Sequence, residues 1–394
     1  MSDIMQAELK KQGQKWPMVK LGDIVDIKGG GTPSKSNPEF WGGNIPWASV
    51  KDFKSSSLYE TADYITESGV EKSATNVIPA GNVIVPTRMA LGKVAVNQVD
   101  MAINQDLKAL LVKDEGKLSK LYLMRFLESK SAFIDEQGKG ATVKGITLDV
   151  LRNLEIPLPP LAEQKRIAAI LDKADAIRRK RQQAIQLADD FLRAVFLDMF
   201  GDPVTNPKGW VIHKMSDVID FKGGSQPPKE TFEYEEKEGY IRLVQIRDFR
   251  TDKFKTFIPE NLAKRRFEND DVMIGRYGPP VFQILRGLSG SYNVALMKAA
   301  PKEGVTKDFV YRLLQLPAYQ DAVISNSERT AGQTGVNLDL LNNLDVPLPP
   351  LDIQISMSEQ VGKIEKLASK LKLDLHDVER LLFSLSQKAF RGEL

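Results

Sequence analysis

The stretch Leu151-Arg152-Asn153-Leu154-Glu155-Ile156-Pro157-Leu158-Pro159-Pro160-Leu161 returns as Leu341-Asn342-Asn343-Leu344-Asp345-Val346-Pro347-Leu348-Pro349-Pro350-Leu351, with Gln164 and Gln354 at matching places beyond. Prolines remove backbone donors and push their predecessors out of the helical region, so each copy reads as a stiff, extended boundary. Upstream, Lys20-Leu21-Gly22-Asp23-Ile24-Val25-Asp26-Ile27-Lys28-Gly29-Gly30 is echoed by Lys214-Met215-Ser216-Asp217-Val218-Ile219-Asp220-Phe221-Lys222-Gly223-Gly224, and Trp16 and Trp210 sit equally far ahead. Val50-Lys51-Asp52-Phe53 recurs as Ile246-Arg247-Asp248-Phe249, Asn104 pairs with Asn293, and Gly145 with Gly335. The order is preserved at a period of about 190 residues, far beyond that of a solenoid, so each repeat is a domain plus a connector.

Two regimes alternate within each repeat. Residues 16–156 and 210–346 hold short apolar runs such as Val83-Ile84-Val85 and Val272-Met273-Ile274, broken by Gly and Pro, and read as irregular, mostly β domains. One helix is expected late in each, over residues 119–131 with Ser119 as N-cap, and over residues 307–316, ended by Pro317.

Beyond each Pro-rich element the period becomes helical. Ile167, Ile170, Ala174, Ile177, Arg181, Ile185, Ala188, Leu192, Val195 and Met199 follow a three-four spacing, as do Val361, Ile364, Ala368, Leu371, Leu375, Val378, Leu382, Leu385 and Ala389. A helix over residues 161–198 would be about 55 Å long. One such stripe could pack on its own domain, but two matching, narrow seams favour pairing. The expectation is an α+β protein with two mixed, β-rich domains joined by two long helices in an antiparallel coiled coil. That is a dumbbell with a pseudo-two-fold internal repeat, a symmetry suited to a target with two half-sites. The divisions fall at 1–156, 157–200, 201–346 and 347–394.

Composition limits the function. Of 394 residues, 42% are hydrophobic, enough for real cores, and the 27% that are charged are mixed in sign, which argues against a disordered polyelectrolyte. The lack of cysteine excludes disulfides and thiolate metal sites and agrees with a reducing, cytoplasmic setting. The opening Met1-Ser2-Asp3-Ile4-Met5-Gln6-Ala7-Glu8 has no basic flank and apolar core, and no apolar run approaches a membrane span, so neither secretion nor a membrane is expected. The net charge of +3 permits a nucleic-acid partner without requiring one. No phosphate-binding loop exists, since Gly30-Gly31-Thr32-Pro33-Ser34-Lys35 lacks the glycine before its lysine. His213 and His376 are isolated, so no metal site is expected, and although carboxylates are abundant no pair stands out as a nuclease cluster, so no catalytic residue is assigned to this chain.

Gly30-Gly31-Thr32-Pro33-Ser34-Lys35, then Pro157-Leu158-Pro159-Pro160-Leu161-Ala162-Glu163-Gln164-Lys165-Arg166-Ile167-Ala168, then Phe200-Gly201-Asp202-Pro203 resembles the specificity subunits of Type I restriction-modification enzymes. The second Pro-Leu-Pro-Pro-Leu and the closing Ala389-Phe390-Arg391-Gly392-Glu393-Leu394 are similar too, so the resemblance spans essentially the whole chain. It implies two target-recognition domains, each reading one half of a split site in double-stranded DNA. It further implies a helical pair that docks two methyltransferase (M) subunits, with restriction (R) subunits joining that core. S-adenosylmethionine, ATP and Mg would then act in those partners and no cofactor in this chain. The strings Asn37-Pro38-Glu39-Phe40 and Tyr277-Gly278-Pro279-Pro280 do not match the Asn-Pro-Pro-aromatic signature of an adenine methyltransferase.

Candidate DNA contacts are polar or basic loop residues at corresponding places. Lys28, Thr32, Ser34 and Lys35 face Lys222, Ser225 and Lys229 across the repeat, in Gly-rich loops that either approach phosphates or are solvated turns. Arg88, and Arg276 with Tyr277, each follow a hydrophobic strand, where arginine grips a guanine edge or closes a salt bridge. Lys51 and Arg247 form another pair, and Thr142-Val143-Lys144 corresponds to Gly332-Gln333-Thr334, adding Lys144 and Gln333. The run Arg178-Arg179-Lys180-Arg181 is either a solvated helix face or a phosphate contact. The competing function is a coiled-coil scaffold whose β-rich modules bind proteins; a nuclease or methyltransferase is a third and weaker reading.

Overall fold

The computed structural model describes residues 16–140, 143–278, 280–330 and 333–394, and for residues 328–330 and 333–334 the backbone alone. The opening octet and Thr142 lie outside the described residues. The chain divides into two compact units, residues 1–182 with 373–394, and residues 183–372.

In the first unit Val83, Ile84 and Val85 are buried on both faces, as a continuous apolar run in a central strand requires. Their strand lies mid-sheet, in the order Val25–Gly29, Leu107–Val112, Val83–Pro86, Ala95–Asn97 and Ser57–Leu58. A second sheet runs Asp63–Ile65, Trp41–Ala48, Met101–Ile103 and Asn76–Ile78. Met18–Lys20 pairs with Glu155–Pro157, Val19 opposite Ile156, and so clasps the start of the domain to its end immediately before the Pro-rich element.

The second unit repeats this plan. Val211–Lys214 clasps Asp345–Leu348. One sheet is ordered Ile219–Gly223, Leu296–Pro301, Val272–Gly275 and Gln283–Leu285, and the other Phe257–Pro259, Tyr240–Val244, Gly290–Tyr292 and Arg266–Phe267. The late helices are Lys120–Ser129, with the Ser119 hydroxyl accepting Tyr122 N–H, and Lys307–Leu313, with Thr306 accepting Phe309 N–H. The second is shorter than its sequence suggested. Pro317 opens a further helix, Pro317–Ser325, because a proline in the first turn forfeits no hydrogen bond.

The matched glutamines explain the Pro-rich repeat. Gln164 Oε1 accepts Ser119 N–H (2.9 Å), and its Nε2 donates to the carbonyls of Lys117 (2.7 Å) and Pro159 (2.8 Å). Gln354 accepts Thr306 N–H (2.9 Å) and donates to Gly304 (3.1 Å) and Pro349 (2.9 Å). Both side chains are fully buried, so each fixes the start of a late helix against the start of a long one.

Those long helices are Leu161–Phe200 and Leu351–Arg391. In the first unit Arg166 donates to Leu394 O (3.2 Å) and Arg181 meets Asp374 at 3.0 Å, so one helix rises as the other falls. Ile167, Ala168 and Leu171 share its core with Tyr122, Phe126 and Ala389. In the second unit Asp189 faces Lys372 at 3.4 Å, and Phe196 and Phe200 pack with Phe309, Met357 and Val361 in the same antiparallel sense. The later seam is buried at Val361, Ala368 and Ala389 as its spacing predicts. The earlier seam shifts. Ile177 is 53% exposed, and Leu171 and Asp175 face inward in its place. There Asp175 pairs with Arg125 on the neighbouring helix. Among the described residues no helix is long and apolar enough to cross a membrane.

Candidate nucleic-acid interface

In the first unit four candidates converge on the loop of residues 104–106, which leads into the central strand Leu107–Val112. Asn104 caps this loop by accepting Asp106 N–H (3.1 Å), while Asn104 N–H reaches Ala48 O (2.9 Å) at the end of the other sheet. The Thr32 hydroxyl donates to Gln105 Oε1. Arg88, with a side chain 57% exposed, stands 3.7 Å from the largely buried Asp106 carboxylate, beyond hydrogen-bonding distance. Arg88 also bridges to Gly145, bringing Lys144 alongside, and Lys28 lies exposed in the adjoining strand opposite Ala109. Lys108, which the sequence reading missed, joins them; its Nζ donates to Gln105 O (2.6 Å) and Leu107 O (3.0 Å), and burial holds its ammonium below the usual lysine range despite Asp106. Its strand alternation was the available signal.

The second unit builds the same sheet end around residues 293–295. Asn293 accepts Ala295 N–H (3.2 Å), and Asn293 N–H reaches Val244 O (3.2 Å). Tyr277 bridges to Gly335, and Arg276 N–H reaches Ala295 O (2.9 Å), as Thr87 N–H reaches Asp106 O (2.7 Å). The backbone therefore aligns Thr87 with Arg276 and Arg88 with Tyr277, one residue out of step with a pairing of the two arginines. Arg276 stacks on the Tyr277 ring at 5.3 Å. Lys222 is exposed beside this end, and its carbonyl accepts the Tyr292 hydroxyl (3.2 Å). Gln333 belongs to a short strand paired with Glu328–Thr330, but its side chain lies outside the described residues.

Several expectations change. Ser225 Oγ is buried, so in this structure it does not face solvent. The loop glycines serve internal packing: a Cβ on Gly30 would lie 1.9 Å from Ile103 O, one on Gly31 2.5 Å from Ala74 C, and one on Gly224 1.9 Å from Asn293 O. Close backbone approach within the domain is by itself enough to demand them. Ser34 and Lys35 belong to a turn in which Ser34 meets Ser36 at 2.8 Å, and Lys229 opens the 3-10 turn Lys229–Thr231. Lys51 and Arg247 sit exposed on turns just beyond the second sheet, where Asp52 accepts Ser49 N–H and Asp248 accepts Gln245 N–H, each at 2.7 Å. Arg247 covers the Phe254 ring at 5.3 Å. In the basic run on the first long helix, Arg178 and Arg179 pair with Asp175 and Arg181 with Asp374.

Sequence reading also missed a pair of buried arginines. Arg125 donates to Glu128 (2.8 Å), Asp175 (3.3 Å) and Asp172. Burial nevertheless pushes the Glu128 carboxyl up, whereas at Asp175 the guanidiniums of Arg178 and Arg125 outweigh burial and pull it down. Arg312 meets Glu365 in the second unit. Each ties a late helix to a long one.

Two β-rich modules of one plan, each with basic side chains at the same sheet end and each packed on segments of both long helices, define a duplicated α+β fold with an antiparallel helical pair. The family model for the Type I restriction modification DNA specificity domain matches the chain twice, over residues 13–187 and 207–374, and the chain belongs to this family. The specificity subunit of the Type I restriction enzyme MjaIX of Methanocaldococcus jannaschii is 25% identical over 62% of this chain and 61% of its own length. That of EcoR124I/EcoR124II of Escherichia coli is 40% identical over 40% of each chain. In fold the chain is similar to the S subunit of the Type-I restriction-modification system from M. genitalium, with a TM-score of 0.57 and 17% identity over 96% of both chains.

Proposed function

We propose that this chain is the DNA-reading, non-catalytic subunit of a Type I restriction-modification enzyme. Residues 1–156 and 201–346 form two recognition domains, each reading one half of a bipartite site in double-stranded DNA. The observation that carries the reading is the recurrence of one basic sheet end in both units, with Lys28, Arg88 and Lys144 on one and Lys222, Arg276 and Tyr277 on the other. Basic side chains there neutralise phosphates, and arginine or stacked tyrosine addresses base edges. Two M subunits dock on the long helices, where Leu187, Phe191, Leu373 and Phe383 are at least half exposed, and R subunits join them in the cytoplasm. S-adenosylmethionine, ATP and Mg act in those partners. No observation favours a scaffold that binds proteins through its β-rich modules.

Methylome sequencing of cells that express the chain with its methyltransferase tests this. A bipartite target is expected, and exchange of residues 16–156 for another recognition domain changes one half-site and leaves the other intact. A contiguous target unaffected by that exchange overturns the reading.

A further inference from the structure

Met89 has a backbone that disfavours any side chain and a side chain that the domain leaves mostly exposed. Its φ is +68°, in the left-handed region that favours glycine. Ala90 N–H donates to Arg88 O (2.9 Å) around it, the three-residue γ-turn of the rare, strained hand. Its own N–H is fixed to Lys144 O (3.1 Å). The turn is thus held from both sides, and it directs a long apolar side chain outward, 59% exposed, between Arg88 and Lys144.

The second unit supplies the control. The register that aligns Arg88 with Tyr277 aligns Met89 with Gly278, which also has positive φ, +94°. A Cβ on Gly278 would meet nothing within 4 Å, so the position opens to solvent there too. Gly278 therefore takes a left-handed φ at the aligned place without a side chain, so the positive φ does not itself call for methionine. Val143, in the strip beside Lys144, is another exposed apolar residue, 38% accessible. Strain retained where glycine would serve, together with apolar surface set among cations, indicates a contact outside the chain. Phosphates do not seek such a surface. Bases do, through the thymine methyl group or a ring face opened at a base step.

We infer that Met89 is a specificity-determining residue of the first recognition domain, placing its thioether side chain in apolar contact with a base of the half-site that this domain reads. The inference rests on the DNA-reading function proposed above. It separates two roles within one sheet end: Arg88 and Lys144 supply charge, and Met89 supplies the discriminating apolar surface.

The test uses the full chain co-expressed with its methyltransferase partner, carrying Met89→Gly, Met89→Asn, Met89→Leu or Arg88→Ala. Genome-wide methylation is mapped, and the purified complexes are titrated with a duplex bearing the target so found. Gly and Asn both relax the left-handed turn, so melting temperature is expected to hold or rise. Target affinity is expected to fall about tenfold, with one position of the first half-site relaxed and the second half-site unchanged. Leucine keeps the parental pattern. If Met89→Gly and Met89→Asn retain parental affinity and pattern while Arg88→Ala weakens binding, the assignment of Met89 is overturned and the DNA-reading function stands. If binding and methylation are unaltered by Arg88→Ala and by exchange of residues 16–156, that function fails and the inference with it.

Discussion

The two units follow one backbone path with different side chains, and what they share differs in kind from what they do not. Shared are Gly30 and Gly224, Asn104 and Asn293, Gln164 and Gln354, and Asp52 and Asp248, all of which meet backbone. Unshared at the outward-facing sheet end are Met89 against Gly278 and Arg88 against Tyr277. Residues that hold main chain are kept because few side chains can replace a bond to a fixed carbonyl or fit where no Cβ fits. Residues that face outward at the sheet end differ, as two readers of different half-sites require.

The largest break in the comparison is expected at the buried arginines. Arg125 is 5% exposed and faces three carboxylates, one of them, Asp175, buried, whereas Arg312 faces the single carboxylate of Glu365. Arg125→Ala removes a buried guanidinium from Asp172, Asp175 and Glu128, with Asp175 still held by Arg178 and Arg179, and should cost about 3–5 kcal/mol; Arg312→Ala, which loses one carboxylate partner, should cost about 2 kcal/mol. Urea unfolding followed by hydrogen exchange measures both and assigns each loss to its unit. Equal losses would show that the carboxylates around Arg125 are not the source of the difference.

Where the units agree, they should lose alike. Gln164→Ala and Gln354→Ala each remove one acceptor and two donors from the same three kinds of backbone partner, and each should cost about 2–3 kcal/mol. Thermal melts of the two variants check this. A gap of more than about 1 kcal/mol between them would mean that the two Pro-rich elements carry different loads despite their common geometry.

Acid should separate the units again. Burial opposes ionisation of Asp271, but hydrogen bonds from Lys298, Lys307 and Glu268 N–H outweigh it and hold the carboxyl at about 2. Because the folded value lies below the unfolded one of about 3.8, its contribution of about 2 kcal/mol is present above pH 4 and is lost as pH falls through about 2. Asn82, in the equivalent place, has no such dependence. Asp271→Asn should flatten that part of the acid limb in the second unit, as read by hydrogen exchange between pH 4 and 2.

Much of this architecture was legible because it rests on repetition and period. The Pro-rich element, the later helical seam and the pairs Asn104/Asn293 and Gly145/Gly335 all stand where the sequence put them, since each reports a local rule or a duplicated one. The departures have a common cause in tertiary contact. Ile177 leaves its seam where Asp175, paired with Arg125 far away in sequence, turns inward. Gly30 and Gly224 read as loop glycines, and only tertiary structure sets the carbonyls of Ile103 and Asn293 against them. The slip that set Arg88 against Arg276 came from aligning residue types, where hydrogen bonds from residues 87 and 276 define the register.

The smallest effect is expected at the middle of the helical pair. Arg181 occupies a seam position and reaches Asp374 at 3.0 Å, with side chains 32% and 41% exposed. Solvent screens such a pair, and holding two long side chains in one geometry costs entropy, so a double-mutant cycle over Arg181→Ala and Asp374→Ala should return a coupling of about 0.2–1 kcal/mol. Salt sharpens the test, because the Debye length falls from about 10 Å at 0.1 M to about 3 Å at 1 M and the coupling should shrink with it. A coupling above about 2 kcal/mol that survives 1 M salt would place the pair in a dry interior, and would make it the counterpart of Arg125 and its carboxylates. The smaller, salt-sensitive value leaves Arg125 and Arg312 as the charged anchors of the helices, with Arg181 satisfying a polar gap in an apolar seam.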